Sequence, residues 1–147
     1  MTNVKTLFGL LVAVVAAVVG VVAFGAAQAS ASSAPILIPY AKTCNEATGR
    51  CVGTAGAGGT IVMQVTSFRA TGSAAQLTAT ETITVGGISF TAEMNLHVSP
   101  AGFIVLNGTV TEGSFAGARV HQRSNLASTA GTTTSWTGEL RLMPASA

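Results

Sequence analysis

The stretch that decides the fold is Ala74–Val98, which reads AAQLTATETITVGGISFTAEMNLHV. Apolar and polar residues alternate with period two on both sides of Gly86-Gly87, which is the pattern of two β-strands joined by a two-residue turn. Glycine adopts the positive φ of such turns at little cost. Pairing about this centre puts Val85 opposite Ile88, Ile83 opposite Phe90, Ala79 opposite Met94 and Leu77 opposite Leu96, all on one apolar face. The other face pairs Thr82 with Thr91, Thr80 with Glu93, Thr78 with Asn95 and Gln76 with His97, so both faces predict the same register.

Further short strands flank this hairpin, separated by turn residues. They are predicted at Ile36–Tyr40, Thr60–Arg69, Phe103–Leu106, Phe115–Arg123 and Thr133–Leu142, with loops at Gly53–Gly59 and Ser124–Thr132. Because Pro35 and Pro39 lack a backbone N–H, the first strand suits an edge position. The pattern predicts an all-β fold, an antiparallel meander of six to eight strands that closes into a small barrel, with a β-sandwich as the alternative.

The N-terminus has the form of a secretory signal peptide. One lysine precedes an almost wholly apolar run from Leu7 to Ala27, and small-residue cleavage sites follow at Ala29 and Ala31. The run is also just long enough to span a bilayer, so an uncleaved signal helix that anchors the chain is the alternative. We therefore predict a signal peptide at 1–31, an extended N-terminal segment with a disulfide loop and a Gly-rich linker at 32–59, and a barrel domain at 60–147. The expected location is outside the cell or in its envelope.

Charge is scarce in this chain. Charged residues make up 8% of it, its formal net charge is +2, and it contains no aspartate. This excludes aspartate-based triads and EF-hand loops, and nothing indicates a nucleic-acid partner. A surface solvated by hydroxyls rather than charges predicts weak repulsion between copies and a tendency to form homo-oligomers.

Cys44 and Cys51 are the two cysteines of the chain. In an exported protein such a pair predicts a disulfide. The alternative, a metal site with His97 and His121, matches no zinc spacing, so neither a metal nor a cofactor is expected.

The segment Gly113-Ser114-Phe115-Ala116-Gly117-Ala118-Arg119 resembles a glycine-x-phenylalanine-x-x-alanine-arginine stretch of the dirigent and allene-oxide-cyclase-like barrels. In that family a Gly-Gly-Thr triplet precedes the stretch, whereas Val110-Thr111-Glu112 precedes it here. The resemblance implies an eight-stranded barrel that holds an apolar ligand in its lumen and associates into trimers. It carries over no catalytic residue.

Glu81 is the one polar residue on the apolar face of the hairpin. It is either a lumen carboxylate, whose pKa desolvation would raise, or a residue that a bulge or the rim turns to solvent. Its expected partners come from the face that carries Arg119, His121 and Arg123, which points either into the lumen or to solvent. The other candidate ligand contacts are Phe90, Met94 and Trp136.

Three functions fit these observations. The favoured one is a non-enzymatic exported module that binds an apolar small molecule or an extracellular or envelope partner, because no catalytic motif is present. The second is a lumen enzyme of isomerase or cyclase type that uses Glu81 with Arg119 or His121. The third is a structural surface protein that self-associates through its low-charge surface and exposed strand edges.

Overall fold

The structure is a computed structural model that describes residues 34–72, 74–98 and 103–145. The predicted signal helix, the cleavage sites at Ala29 and Ala31 and the first two residues of the predicted 32–59 segment lie outside these residues. Eight strands are present in the described part: β1 (Ile36–Asn45), β2 (Arg50–Ala55), β3 (Gly59–Thr71), β4 (Ala74–Val85), β5 (Ile88–Val98), β6 (Phe103–Gly113), β7 (Arg119–Ala130) and β8 (Thr133–Met143). None of the described residues belongs to a helix that could cross a membrane.

The hairpin of β4 and β5 has the predicted register. Val85 pairs with Ile88, Glu81 with Ala92 and Leu77 with Leu96. Gly86 and Gly87 form the turn with φ of 55° and 81°. Along β5, the buried side chains are Phe90, Ala92, Met94 and Leu96. The predictions of an all-β fold and of this register are therefore confirmed.

The eight antiparallel strands close into a barrel in chain order, and this excludes the β-sandwich. Closure is made between β1 and β8, from Ile36↔Leu142 to Asn45↔Thr133. The barrel thus begins at Ile36 rather than at residue 60, because both strands of the expected N-terminal segment join the sheet. Each strand has two neighbours in the closed barrel, but β3 beyond Val65 pairs only with β4 and β7 beyond Asn125 pairs only with β8, so these two strand ends keep one unpaired edge each.

Pro39 lies within β1 without breaking the barrel. Its carbonyl oxygen accepts a hydrogen bond from the Gly56 amide at 2.7 Å, just beyond Tyr40↔Ala55, the last register pair of β1 with β2. Since the N–H and C=O of a strand residue point to the same side, the missing N–H would face the β2–β3 turn. The expectation of an edge strand is wrong for this reason: the proline needs only a locally unpaired position.

Three predicted boundaries differ from the structure. The loop predicted at Gly53–Gly59 is a turn at 56–58 only, because Gly53 pairs with Lys42 and Ile61. The strand predicted from Phe115 starts at Arg119, since Phe115 and Gly117 have φ of 62° and 87°, outside the β region. The polar loop predicted at Ser124–Thr132 is mostly strand, because the backbone ladder with β8 continues to Ala130↔Thr133 whatever the polarity of the side chains.

The two ends of the lumen are filled differently. At the end where the β2–β3 and β4–β5 turns lie, closely packed apolar side chains fill the lumen, and we call this set the apolar plug: Ile38, Ile61, Ile83, Phe90, Val110, Val120, Leu140 and Leu142. At the opposite end, where the Cys44–Cys51 disulfide joins β1 and β2, the inward side chains line an open cavity. The site described below occupies this half of the barrel.

Candidate functional site

The cavity at the disulfide end has a volume of about 530 Å³ and opens to solvent. Its walls come from the inward positions of seven strands, which strand alternation places at one end of the lumen. The aliphatic and aromatic lining includes Val65, Leu77, Leu96, Val98, Ile104 and Trp136, together with the disulfide. A concave, mostly apolar pocket of this size is the usual form of a small-molecule site.

Beneath the cavity lies a layer of buried polar side chains around Lys42. The Lys42 Nζ donates to Glu81 Oε2 at 3.0 Å and to Gln122 Oε1 at 3.4 Å. Gln122 Nε2 donates in turn to the other carboxylate oxygen, Glu81 Oε1. The side chains of Lys42 and Glu81 are 3% and 0% exposed. The ion pair is thus enclosed by protein, where an unpartnered charge would be very costly.

Met63 connects this polar layer with the cavity. Its side chain lines the cavity, and its sulfur lies 3.5 Å from Lys42 Nζ. Neither Lys42 nor Glu81 lines the cavity. Met63 therefore forms part of a floor that separates the cavity from the ion pair.

A second buried contact joins Tyr40 to Ser124 through their hydroxyl groups. The Tyr40 ring also lies under Lys42, whose Nζ is 5.1 Å from the ring centroid. Gly138 makes room for this side chain, since a Cβ there would lie 2.8 Å from the Tyr40 hydroxyl oxygen. Burial is the main cause that raises the pKa of Tyr40 to about 12, with a further contribution from the negative charge of Glu81.

Glu81 points inward, but the predicted partners do not reach it. No bulge occurs at its position, and it pairs with Ala92 on β5 and Met63 on β3. Arg119 and Arg123 are exposed on the outer face, and His121 is half-buried there. Asn107 Oδ1 accepts a hydrogen bond of 2.7 Å from His121 Nδ1. The expectation that Glu81 pairs with Arg119 or His121 is wrong, because alternation along β7 turns Gln122 inward instead.

The other predicted ligand contacts are divided between the two halves of the lumen. Trp136 lines the cavity, and its indole N–H donates to Thr134 Oγ1 at 2.9 Å. Phe90 is buried in the apolar plug, and Met94 is buried in the core. Neither of these two side chains lines the cavity.

Lys42 and Gln122 were missed, although strand alternation could have found both. Ile38, Tyr40, Lys42 and Cys44 share one parity on β1, but the predicted strand ends at Tyr40. Val120, Gln122 and Ser124 share the inward parity on β7, opposite the face that carries Arg119, His121 and Arg123, but two of these three inward residues are polar. In both strands a polar side chain inside the lumen interrupts the alternation of apolar and polar residues from which the inward face would be recognised.

Within 34–72, 74–98 and 103–145, no three His, Cys, Asp or Glu side chains cluster closely enough to hold a metal ion. Cys44 and Cys51 are joined in the predicted disulfide, which is confirmed.

The fold and the site together define a small eight-stranded antiparallel β-barrel with an open apolar cavity above a buried ion pair. No known protein family, curated protein or solved structure matches this chain.

Proposed function

We propose that this barrel is a non-enzymatic binding module that holds an apolar small molecule in the cavity at its disulfide end. The observation that carries the proposal is the open cavity of about 530 Å³, walled by aliphatic side chains and Trp136. An open apolar surface of this kind gains free energy when a ligand displaces water from it. The resemblance of residues 113–119 to the dirigent and allene-oxide-cyclase-like barrels implies the same type of function.

The alternative of a lumen enzyme has less support. A general acid or base must come within hydrogen-bond distance of the substrate. Glu81 is fully buried and does not line the cavity, and both of its carboxylate oxygens accept hydrogen bonds from protein side chains. The carboxylate is therefore occupied by structural partners.

We also propose that the module acts outside the cytoplasm. The form of residues 1–31 supports export, as does the disulfide, since disulfides persist in oxidising compartments. A cavity exposed to extracellular fluid would meet apolar molecules released from, or taken up by, the cell.

Binding of N-phenylnaphthylamine tests the proposed function, because this uncharged fluorophore accepts excitation energy from Trp136, the only tryptophan of the chain. Leu77→Glu puts a carboxylate into the cavity wall, whereas Gln76→Glu adds the same charge at the adjacent exposed position of β4. We expect the wild-type protein and Gln76→Glu to bind the probe equally well, and Leu77→Glu to bind it at least tenfold more weakly, about 1.4 kcal/mol.

Far-ultraviolet circular dichroism verifies that each variant retains its β-structure. Leu77→Phe provides a second test, since it fills part of the cavity without adding charge, and it should also weaken binding. The proposal fails if the wild-type protein does not bind the probe, or if all the folded variants bind it with the same affinity.

A further inference from the structure

The buried polar side chains below the cavity form hydrogen bonds with one another. An ammonium group has three N–H donors, and Lys42 Nζ has three acceptors nearby: Glu81 Oε2, Gln122 Oε1 and the Met63 sulfur. Every buried side-chain nitrogen and oxygen in the described part of the barrel has a hydrogen-bond partner. Each buried nitrogen and oxygen atom of this layer is therefore already bonded within the protein.

The charges of this layer also cancel. Lys42 and Glu81 form a one-to-one pair at 3.0 Å. Among the described residues that line the cavity, Glu46 alone is charged, and it lies exposed in the β1–β2 turn. A ligand inside the cavity thus meets neither a net charge nor an unpaired polar group at its inner end.

From this arrangement we infer that the cavity selects uncharged, hydrocarbon-rich ligands, which place an apolar end against Met63 and keep any polar group at the mouth. The inference rests on the proposed function and specifies its ligand class. A charged group at the inner end would lose its water without gaining a partner, and such a loss is expensive in an apolar environment. The Lys42–Glu81 pair supports this selectivity because each side chain neutralises the charge of the other.

Two fluorescent probes with the same ring skeleton test the inference. N-phenylnaphthylamine is uncharged, and anilinonaphthalene sulfonate carries a sulfonate on the same rings. The uncharged probe is intrinsically more apolar and would bind an apolar cavity more tightly in any case. The informative quantity is therefore the change, from one variant to the next, in the ratio of the two dissociation constants.

The variants change the charge of the floor in a controlled way. Glu81→Gln removes one charge and leaves Lys42 as an unpaired cation. We therefore expect the affinity for the sulfonate probe to rise at least tenfold relative to the affinity for the uncharged probe. The double variant Lys42→Met with Glu81→Gln removes both charges. Replacing a buried ion pair by neutral groups is often tolerated, and we expect the double variant to keep the wild-type ratio within about threefold.

The outcomes separate the inference from the proposed function. A wild-type protein that binds the sulfonate as tightly as the uncharged probe, or a double variant with a clearly different ratio, overturns the inference and leaves the binding function intact. If neither probe binds the wild-type protein, the proposed function fails and the inference fails with it. Should Glu81→Gln not fold, the wild-type and double-variant ratios still decide the question.

Discussion

At the scale of single residues, Tyr40 carries the clearest electrostatic signature of the polar layer. It is buried, its hydroxyl is bonded to that of Ser124, and its pKa is raised from 10.0 to about 12. It is also the only tyrosine of the chain, so its titration can be followed directly by the ultraviolet absorbance of tyrosinate.

We predict that Tyr40 ionises near pH 12 in the folded protein and near pH 10 in denaturant. Between these values the unfolded chain releases the proton while the folded chain retains it, so the free energy of unfolding decreases as the pH rises through this range. Below pH 10 the group contributes no pH dependence. Tyr40→Phe is the control, since it removes this component of the decrease, and titration of the folded protein near pH 10 would contradict the buried position.

Sequence reasoning identified one member of the polar layer and missed its partners. Glu81 was visible because it interrupts an otherwise apolar face of a well-patterned hairpin. Lys42 follows Pro39 and a short apolar run, so the period-two signal ended before it was reached. The sequence could therefore identify Glu81 as a candidate lumen carboxylate, with a solvent-facing position as the alternative, but it did not identify the cation that neutralises it.

At the scale of elements, the β4–β5 hairpin was predictable in full register because both of its faces carry the same information. Its turn depends on left-handed backbone at Gly86 and Gly87, with φ of 55° and 81°. A turn with positive φ at both central residues favours asparagine followed by glycine.

This turn leads to a matched pair of substitutions. Gly86→Asn should leave the free energy of unfolding nearly unchanged, because asparagine tolerates left-handed backbone. Gly87→Val should lower it by about 1 to 2 kcal/mol, because a β-branched residue does not adopt that conformation readily. Urea unfolding followed by the fluorescence of Trp136 measures both variants, and equal stabilities would argue against a turn of this type.

The strands β1 and β2 were harder to predict for reasons that the structure makes clear. Pro39 suggested an edge strand because prolines are rare inside sheets, yet β1 has neighbours on both sides and the missing N–H faces a turn. Gly53 suggested a loop, yet it lies where the backbone of β1 approaches closely, and a Cβ there would come within 2.6 Å of the Lys42 Cα. In both cases the neighbouring strand explains why the residue fits within a sheet, and that neighbour cannot be identified from the local sequence.

At the scale of the whole molecule, the lumen consists of an apolar plug, a closed polar layer and an open apolar cavity. The sequence predicted the barrel and an apolar inner face. The division of the lumen into these three parts depends on which positions of different strands lie at the same level along the barrel axis. That level is set by the register of all eight strands together. The location of the cavity, and of Trp136 in its wall, could therefore be read only from the structure.

The most direct test of this account is a crystal structure of the protein under xenon pressure, because xenon occupies apolar cavities that hold no ordered water. We predict xenon atoms in the cavity among Leu77, Leu96 and Ile104, and none within the Lys42–Glu81 layer. A cavity filled by a hydrogen-bonded water network, or closed by the side chains that line it here, would contradict the account.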